Sequence, residues 1–199
     1  METIRGRVSR DMDGFELQNL LAGFETIALD LGTGDACFVC KMAEQNKNRF
    51  FIGIDACREN LRVSSRTKLP NALFVIASAQ SLPCELNGLA SHVSINFPWG
   101  SLLESLLNND ARLMDGLFAV TRAEASMGVL LNGEALSTLG WGLDSGTYEI
   151  ERALNAVDWR TTSRACLDST MLRDVPTTWA KRLVVGRDPR AVQLKFRRE

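Results

Sequence analysis

The sequence predicts an α/β protein built on a mostly parallel sheet with helices on both faces and an antiparallel strand near the C-terminus. Three observations predict it. Short apolar runs alternate with segments of helical spacing, several of those runs end at a glycine or an acid, and the rhythm changes only in the last fifty residues. At 199 residues with 45% apolar composition, the chain reads as one domain over residues 1–199, with 1–25 as an N-terminal extension packing on or near the core.

Taken in order, residues 26–29 are an apolar run that ends at Asp30 and a glycine turn, and residues 36–43 place Ala36, Val39, Cys40 and Ala43 at helical spacing. A second strand is predicted over 50–54, a helix near 58–66 and a third strand over 72–76. Residues 92–97 give a fourth strand, 111–122 a helix and 127–131 a fifth strand. Residues 148–157 are helical, 160–166 alternate, and 191–196 form a final strand after a long connection. A doubly wound sheet of this kind holds its ligand at the carboxyl ends of the strands, where the strand order reverses.

Composition narrows the function classes. The first fifteen residues mix Arg5, Arg7 and Arg10 with Glu2, Asp11 and Asp13, so they make no secretion signal. The longest uncharged run, residues 86–103, holds His92, Asn96 and Pro98 and does not suit a bilayer, which points to a cytoplasmic protein without a membrane partner. Five cysteines and one histidine point to reduced thiols. Cys37 and Cys40 stand as Cys-x-x-Cys, but without a second pair they read as small helix side chains, and no metal site is expected. Net charge is −1, yet residues 47–68 carry +4 and 173–199 carry +5. Two basic segments on an acidic body suggest a one-sided surface for a polyanion, although basic patches also serve solubility alone.

Gly32-Thr33-Gly34 follows a buried strand and precedes a helix, so the backbone bends tightly and a ligand approaches without meeting a Cβ. Asp35 is placed to cap the helix, and Asp55 ends the second strand, where a carboxylate takes ribose hydroxyls. A dinucleotide fold fits the same description. Two features favour S-adenosylmethionine over NAD: Cys37 replaces the third glycine of Gly-x-Gly-x-x-Gly, and Asp30 and Asp35 suit an ammonium and a sulfonium rather than a pyrophosphate. Acids at strand ends also occur simply as turn formers.

The segments Asp30-Leu31-Gly32-Thr33-Gly34-Asp35, Ile52-Gly53-Ile54-Asp55, Ser81-Leu82-Pro83, Phe97-Pro98-Trp99-Gly100-Ser101-Leu102-Leu103 and Trp179-Ala180-Lys181-Arg182-Leu183 resemble the aminoglycoside-resistance 16S rRNA methyltransferases that act on N1 of the decoding-site adenine. The resemblance implies a Rossmann-like class I methyltransferase with a seven-stranded sheet, S-adenosylmethionine as cofactor and S-adenosylhomocysteine as product. It implies a monomer acting on the small ribosomal subunit. Asp30, Gly32, Thr33, Gly34, Asp55, Ala79, Gln80, Asn96 and Ser101 would then hold the cofactor. Trp99 and Trp179 would sandwich the flipped base beside the sulfonium, with Pro98, Lys181, Arg182 and Arg187 also on the rRNA side. Gln80 stands where the family usually has Glu, Ala36 where it has Gly, and residues 66–71 replace a longer basic loop.

Either tryptophan, taken singly, could equally fill a core. Trp99 gains from following an apolar strand, and Trp179 from the Lys181-Arg182 beside it. Trp141 and Trp159 read as packing or loop residues, and His92 as a strand residue without a catalytic role. The alternatives are a methyltransferase of another RNA or of a small molecule, and a non-catalytic ribosome-binding relative.

Overall fold

Residues 26–132 alternate between buried β runs and amphipathic helices, and each crossover returns the chain to a parallel strand. In the computed structural model, which describes residues 1–186 and 189–199, the elements are β1 (Glu2–Arg5), β2 (Val8–Asp11), α1 (Gly14–Leu21), β3 (Thr26–Leu31), α2 (Cys37–Gln45), β4 (Arg49–Asp55), α3 (Arg58–Leu61) and β5 (Ala72–Ile76). They continue with β6 (Ala90–Asn96), α4 (Gly100–Leu107), α5 (Ala111–Val120), β7 (Thr121–Asn132), α6 (Gly133–Ser137), α7 (Leu143–Asn155), β8 (Trp159–Leu167), α8 (Ser169–Asp174), α9 (Thr178–Val185) and β9 (Ala191–Arg198). One sheet runs β2-β1-β5-β4-β3-β6-β7-β9-β8. Its five central strands, β5-β4-β3-β6-β7, are parallel, whereas β9 lies antiparallel to β7 and β8.

The sheet therefore has nine strands rather than the seven expected. The two extra strands come from the N-terminus: β1 and β2 form a hairpin through Gly6, at φ +64°, and β1 meets β5 where Thr3 faces Val75. These strands escape a reading by pattern because each has four residues and β2 is largely exposed, so little apolar alternation remains. The helix expected over 58–66 is one turn of α-helix followed by a separate 3-10 turn at Ser64–Arg66. Arg122 lies in β7 instead of α5, because the strand begins directly at Thr121.

Alternation along the strands divides the burial. Leu29 and Leu31 of β3 and Ile52 and Ile54 of β4 face the main core, together with Leu103, Leu106, Leu117, Ile150 and Trp159. Ala28, Phe51 and Phe74 face the other side, against Val39, Ala43 and Leu61. A third cluster of Phe97, Leu130, Leu167, Leu172, Ala180 and Leu183 seats α8 and α9 over the end of the sheet.

Asn71 ties α2 to the start of β4. Its buried amide donates to the carbonyls of Ala43 (3.0 Å), Asn46 (3.0 Å) and Arg49 (2.9 Å). Substitution Asn71→Ala leaves these carbonyls without their donor, and a loss of about 2 kcal/mol is expected. Urea unfolding measures it; an unchanged midpoint would show that water replaces the amide.

Candidate active site

Strand order reverses between β3 and β6, so a cleft opens beyond their carboxyl ends. The bend after β3 is held by backbone geometry. Gly32 lies at φ +66°, and a Cβ there would meet Leu102 Cδ2 at 2.7 Å. Thr33 N donates to the Ile54 carbonyl (3.0 Å), and Gly34, at φ +56°, donates its N–H to Asp55 Oδ2 (2.8 Å). The cap position of α2 is occupied by Ala36, itself left-handed at φ 55°, and not by Asp35. Asp35 still reaches the helix start, because its Oδ1 accepts from Cys37 N (3.1 Å).

Asp30 is the electrostatic centre. In the sheet register it sits between Gly53 of β4 and Ser94 of β6. Gly53 leaves room that a side chain would take from Thr33 and Val39, each 3.1 Å from where its Cβ would stand. Into that room Thr33 Oγ1 donates to Asp30 Oδ2 (2.5 Å), while Ser94 Oγ (2.7 Å) and Asn96 Nδ2 (2.8 Å) donate to Oδ1. Burial, and to a lesser extent the negative charge of Asp55, raise the Asp30 carboxyl against the pull of its three hydrogen bonds, to about 6. Asp55 accepts from Cys57 N (2.8 Å) and Asn60 Nδ2 (3.2 Å) besides Gly34, which fixes its carboxylate at the rim.

Two further segments close the site. After β6 the chain turns through Phe97 (φ +53°), Pro98, Trp99 and Gly100 (φ +52°) into α4. Gln80 pins the β5–β6 connection to α4, donating to the Ser101 carbonyl (3.0 Å) and Ser105 Oγ (2.8 Å). Opposite, Thr177 caps α9 by accepting from Ala180 N (2.9 Å), which directs Trp179 towards Trp99. The two indoles stack at a centroid distance of 5.1 Å and an interplanar angle of 26°, and the Arg182 guanidinium lies 5.1 Å from the Trp179 ring centre.

These segments enclose a cavity of about 470 Å³. Asp30, Gly32, Thr33, Gly34, Asp55, Ala79, Gln80, Asn96, Pro98, Trp99, Ser101, Trp179 and Arg182, all expected from the sequence, line it. Lys181 is exposed and does not, and Arg187 lies outside the described residues. The sequence reading missed Phe38, Asn60, Ser78, Thr177 and Thr178. Of these Asn60 carried a signal, as a polar residue five positions after Asp55; Ser78 directly precedes Ala79 and Gln80 after β5, and Phe38, Thr177 and Thr178 depend on how α2 and α9 fold over the cleft. With their ring centroids 5.1 Å apart, the indoles leave no room for a base between them, so a base-bound state requires the rings to part. Trp159 is core, Trp141 packs beside it, and His92 hydrogen-bonds Ser126 (2.8 Å) within the sheet. Cys37 and Cys40 are half-buried free thiols.

A doubly wound sheet with antiparallel β9 beside β7, and a glycine bend flanked by a buried and a rim carboxylate, is the architecture of the Rossmann-like S-adenosylmethionine-dependent methyltransferases, and the relatives below bear out that class. The NpmA family model, described as 16S rRNA (adenine(1408)-N(1))-methyltransferase, matches residues 2–197, and the chain belongs to that family. An Escherichia coli protein named 16S rRNA (adenine(1408)-N(1))-methyltransferase is 32% identical over 205 aligned positions, covering 94% of each chain. Among solved structures, the 16S rRNA methyltransferase KamB superposes with a TM-score of 0.89 at 27% identity over 100% of both chains. The aminoglycoside resistance methyltransferase NpmB1 superposes with a TM-score of 0.82 at 29% identity, over 100% of this chain and 99% of its own.

The raised Asp30 pKa has a stability consequence. Its folded value of about 6 exceeds the ordinary 3.8, so its contribution to stability is complete below about pH 4 and is lost as pH rises through 6. At pH 7.5 the buried charge costs on the order of 2–3 kcal/mol in the ligand-free protein. Asp30→Asn is expected to raise the melting temperature at pH 7.5 and to flatten its dependence between pH 5 and 7. Thermal unfolding across that range checks this; a variant no more stable at pH 7.5 contradicts it.

Proposed function

We propose that this chain transfers the methyl group of S-adenosylmethionine to N1 of the decoding-site adenine of 16S rRNA in the small ribosomal subunit. It acts as a cytoplasmic monomer, and its modification of that adenine confers aminoglycoside resistance. One observation carries the reading: two stacked indoles stand at the mouth of a cavity whose floor is a buried carboxylate.

The residues present fit the cofactor. The bend leaves open space where a Cβ would stand at Gly34, which admits a close ligand, Asp30 supplies negative charge for an ammonium, and Asp55 offers acceptors to ribose hydroxyls. Ala79, Gln80 and Ser101 border the adenine end. When bound, S-adenosylmethionine supplies an electrophilic methyl on a sulfonium.

The protein's part is recognition and alignment. Adenine N1 carries an in-plane lone pair once the base leaves its helix, so no general base is required. Trp99 and Trp179 provide two π faces for the extruded ring, and each stacked face contributes on the order of 1–3 kcal/mol. The methylated ring is cationic, and electron-rich indoles favour the charge as it develops. Arg182, beside Trp179, is placed for a phosphate next to the target.

Labelled-cofactor methylation of purified small subunits, followed by mapping of the modified nucleotide, tests the function; an unmodified decoding-site adenine with active cofactor binding rejects it. Trp99→Ala and Trp179→Ala should each lower kcat/KM on small subunits on the order of 10- to 100-fold while leaving the cofactor Kd nearly unchanged. Phe at either position should retain most activity, since it keeps a π face. Full activity in both alanine variants would be incompatible with a stacked base.

A further inference from the structure

Asp35 does more than terminate the glycine bend. Its Oδ1 accepts from Cys37 N (3.1 Å) at the start of α2, and its Oδ2 accepts from Thr178 Oγ1 (2.5 Å) at the start of α9. Its carbonyl accepts from the Ser64 hydroxyl. One carboxylate therefore joins two helix starts separated by 143 residues, through the Cys37 N–H at α2 and the Thr178 hydroxyl at α9. The consecutive threonines divide the work: Thr177 turns inward to cap α9, while Thr178 turns to Asp35.

The neighbouring residue is Trp179. Its partner Trp99 is anchored separately, on the loop that leaves β6 through the left-handed Phe97 and Gly100. The body of α9 packs through Ala180 and Leu183 on Phe97, Leu130 and Leu167, which fixes it to β6, β7 and β8. Neither of those contacts registers Trp179 against the bend after β3, and the Thr178–Asp35 hydrogen bond does.

We propose that Asp35 is a positioning residue for methyl transfer, setting through Thr178 the place of the Trp179 indole relative to the cofactor bend. The proposal rests on the reading that Trp179 stacks on the target base. Its consequence is a separation of effects: the hydroxyl of Thr178 governs turnover while cofactor affinity stays with Asp30 and Asp55.

The test is a double-mutant cycle of Asp35→Ala and Thr178→Val with Thr178→Ser as rescue, each variant first checked by thermal unfolding. Single-turnover methylation of small subunits at saturating cofactor should fall about tenfold or more in Thr178→Val, with cofactor Kd by calorimetry within about twofold of wild type. Thr178→Ser should recover most of the rate. The double variant should be no slower than the slower single variant, because both remove the same link. A second readout needs no RNA: the stacked indoles give an exciton couplet in circular dichroism that Trp99→Phe abolishes, and Thr178→Val should weaken it while Thr178→Ser keeps it. Cofactor affinity falling in step with rate in Thr178→Val would make Thr178 a cofactor contact and overturn the proposal, as would additive losses in the double variant. An unchanged couplet in Thr178→Val overturns it as well. Wild-type protein inactive on small subunits would count against the proposed function, and the couplet then decides the positioning role by itself.

Discussion

The buried carboxylate of Asp30 is the constraint around which the site is arranged. An ionised acid in that position is unfavourable unless each oxygen is hydrogen-bonded, and Thr33, Ser94 and Asn96 meet that demand from three places. Each place carries a condition of its own. Ser94 must be in register on β6, Asn96 must stand at its carboxyl end, and Thr33 must fold back into the space that Gly53 leaves empty. The strand order and the glycine bend are thus tied to one charge, whose residual cost a cationic ligand would offset.

Part of the backbone strain borders the same cleft. Among the described residues five non-glycine positions have positive φ, and two of them, Ala36 and Phe97, begin and border the segments that line the cavity. Such conformations cost on the order of 1–3 kcal/mol each and persist only where packing over-determines them. Ala36 is fully buried in the cluster under α2, and Phe97 in the cluster under α9. Those two clusters therefore act on the site as well as on stability, because they hold the bend and the Trp99 loop in place.

How far the sequence discloses this depends on the range of the interactions. The parallel core and the acids at strand ends were legible because short apolar runs between helical segments and a glycine bend are local signals. Trp99 and Trp179 were legible through resemblance, since composition alone leaves a tryptophan equally suited to a core, as Trp159 shows. What stayed hidden is non-local. The β1–β2 hairpin becomes recognisable only once β5 offers it an edge, and Thr178 belongs to the site only because α9 folds back over Asp35. The contact between the indoles was hidden for the same reason, as their separation is set by a loop and a helix start eighty residues apart in the chain.

The charge distribution follows the same logic. The two basic segments, 47–68 and 173–199, are far apart in sequence, yet Ser64 from one and Thr178 from the other both hydrogen-bond Asp35. Those two residues lie beside the cavity, whereas Arg49 at the start of β4 and Arg197 and Arg198 near the start of β7 lie at the opposite end of the sheet. Part of the segments' charge is already committed, because Arg58 pairs with Glu2 and Arg197 with Glu124. The number of phosphates a protein neutralises sets both affinity and salt dependence, so a count of basic residues overstates this surface. Recognition of a folded RNA relies on shape and on the placement of a few cations more than on total charge.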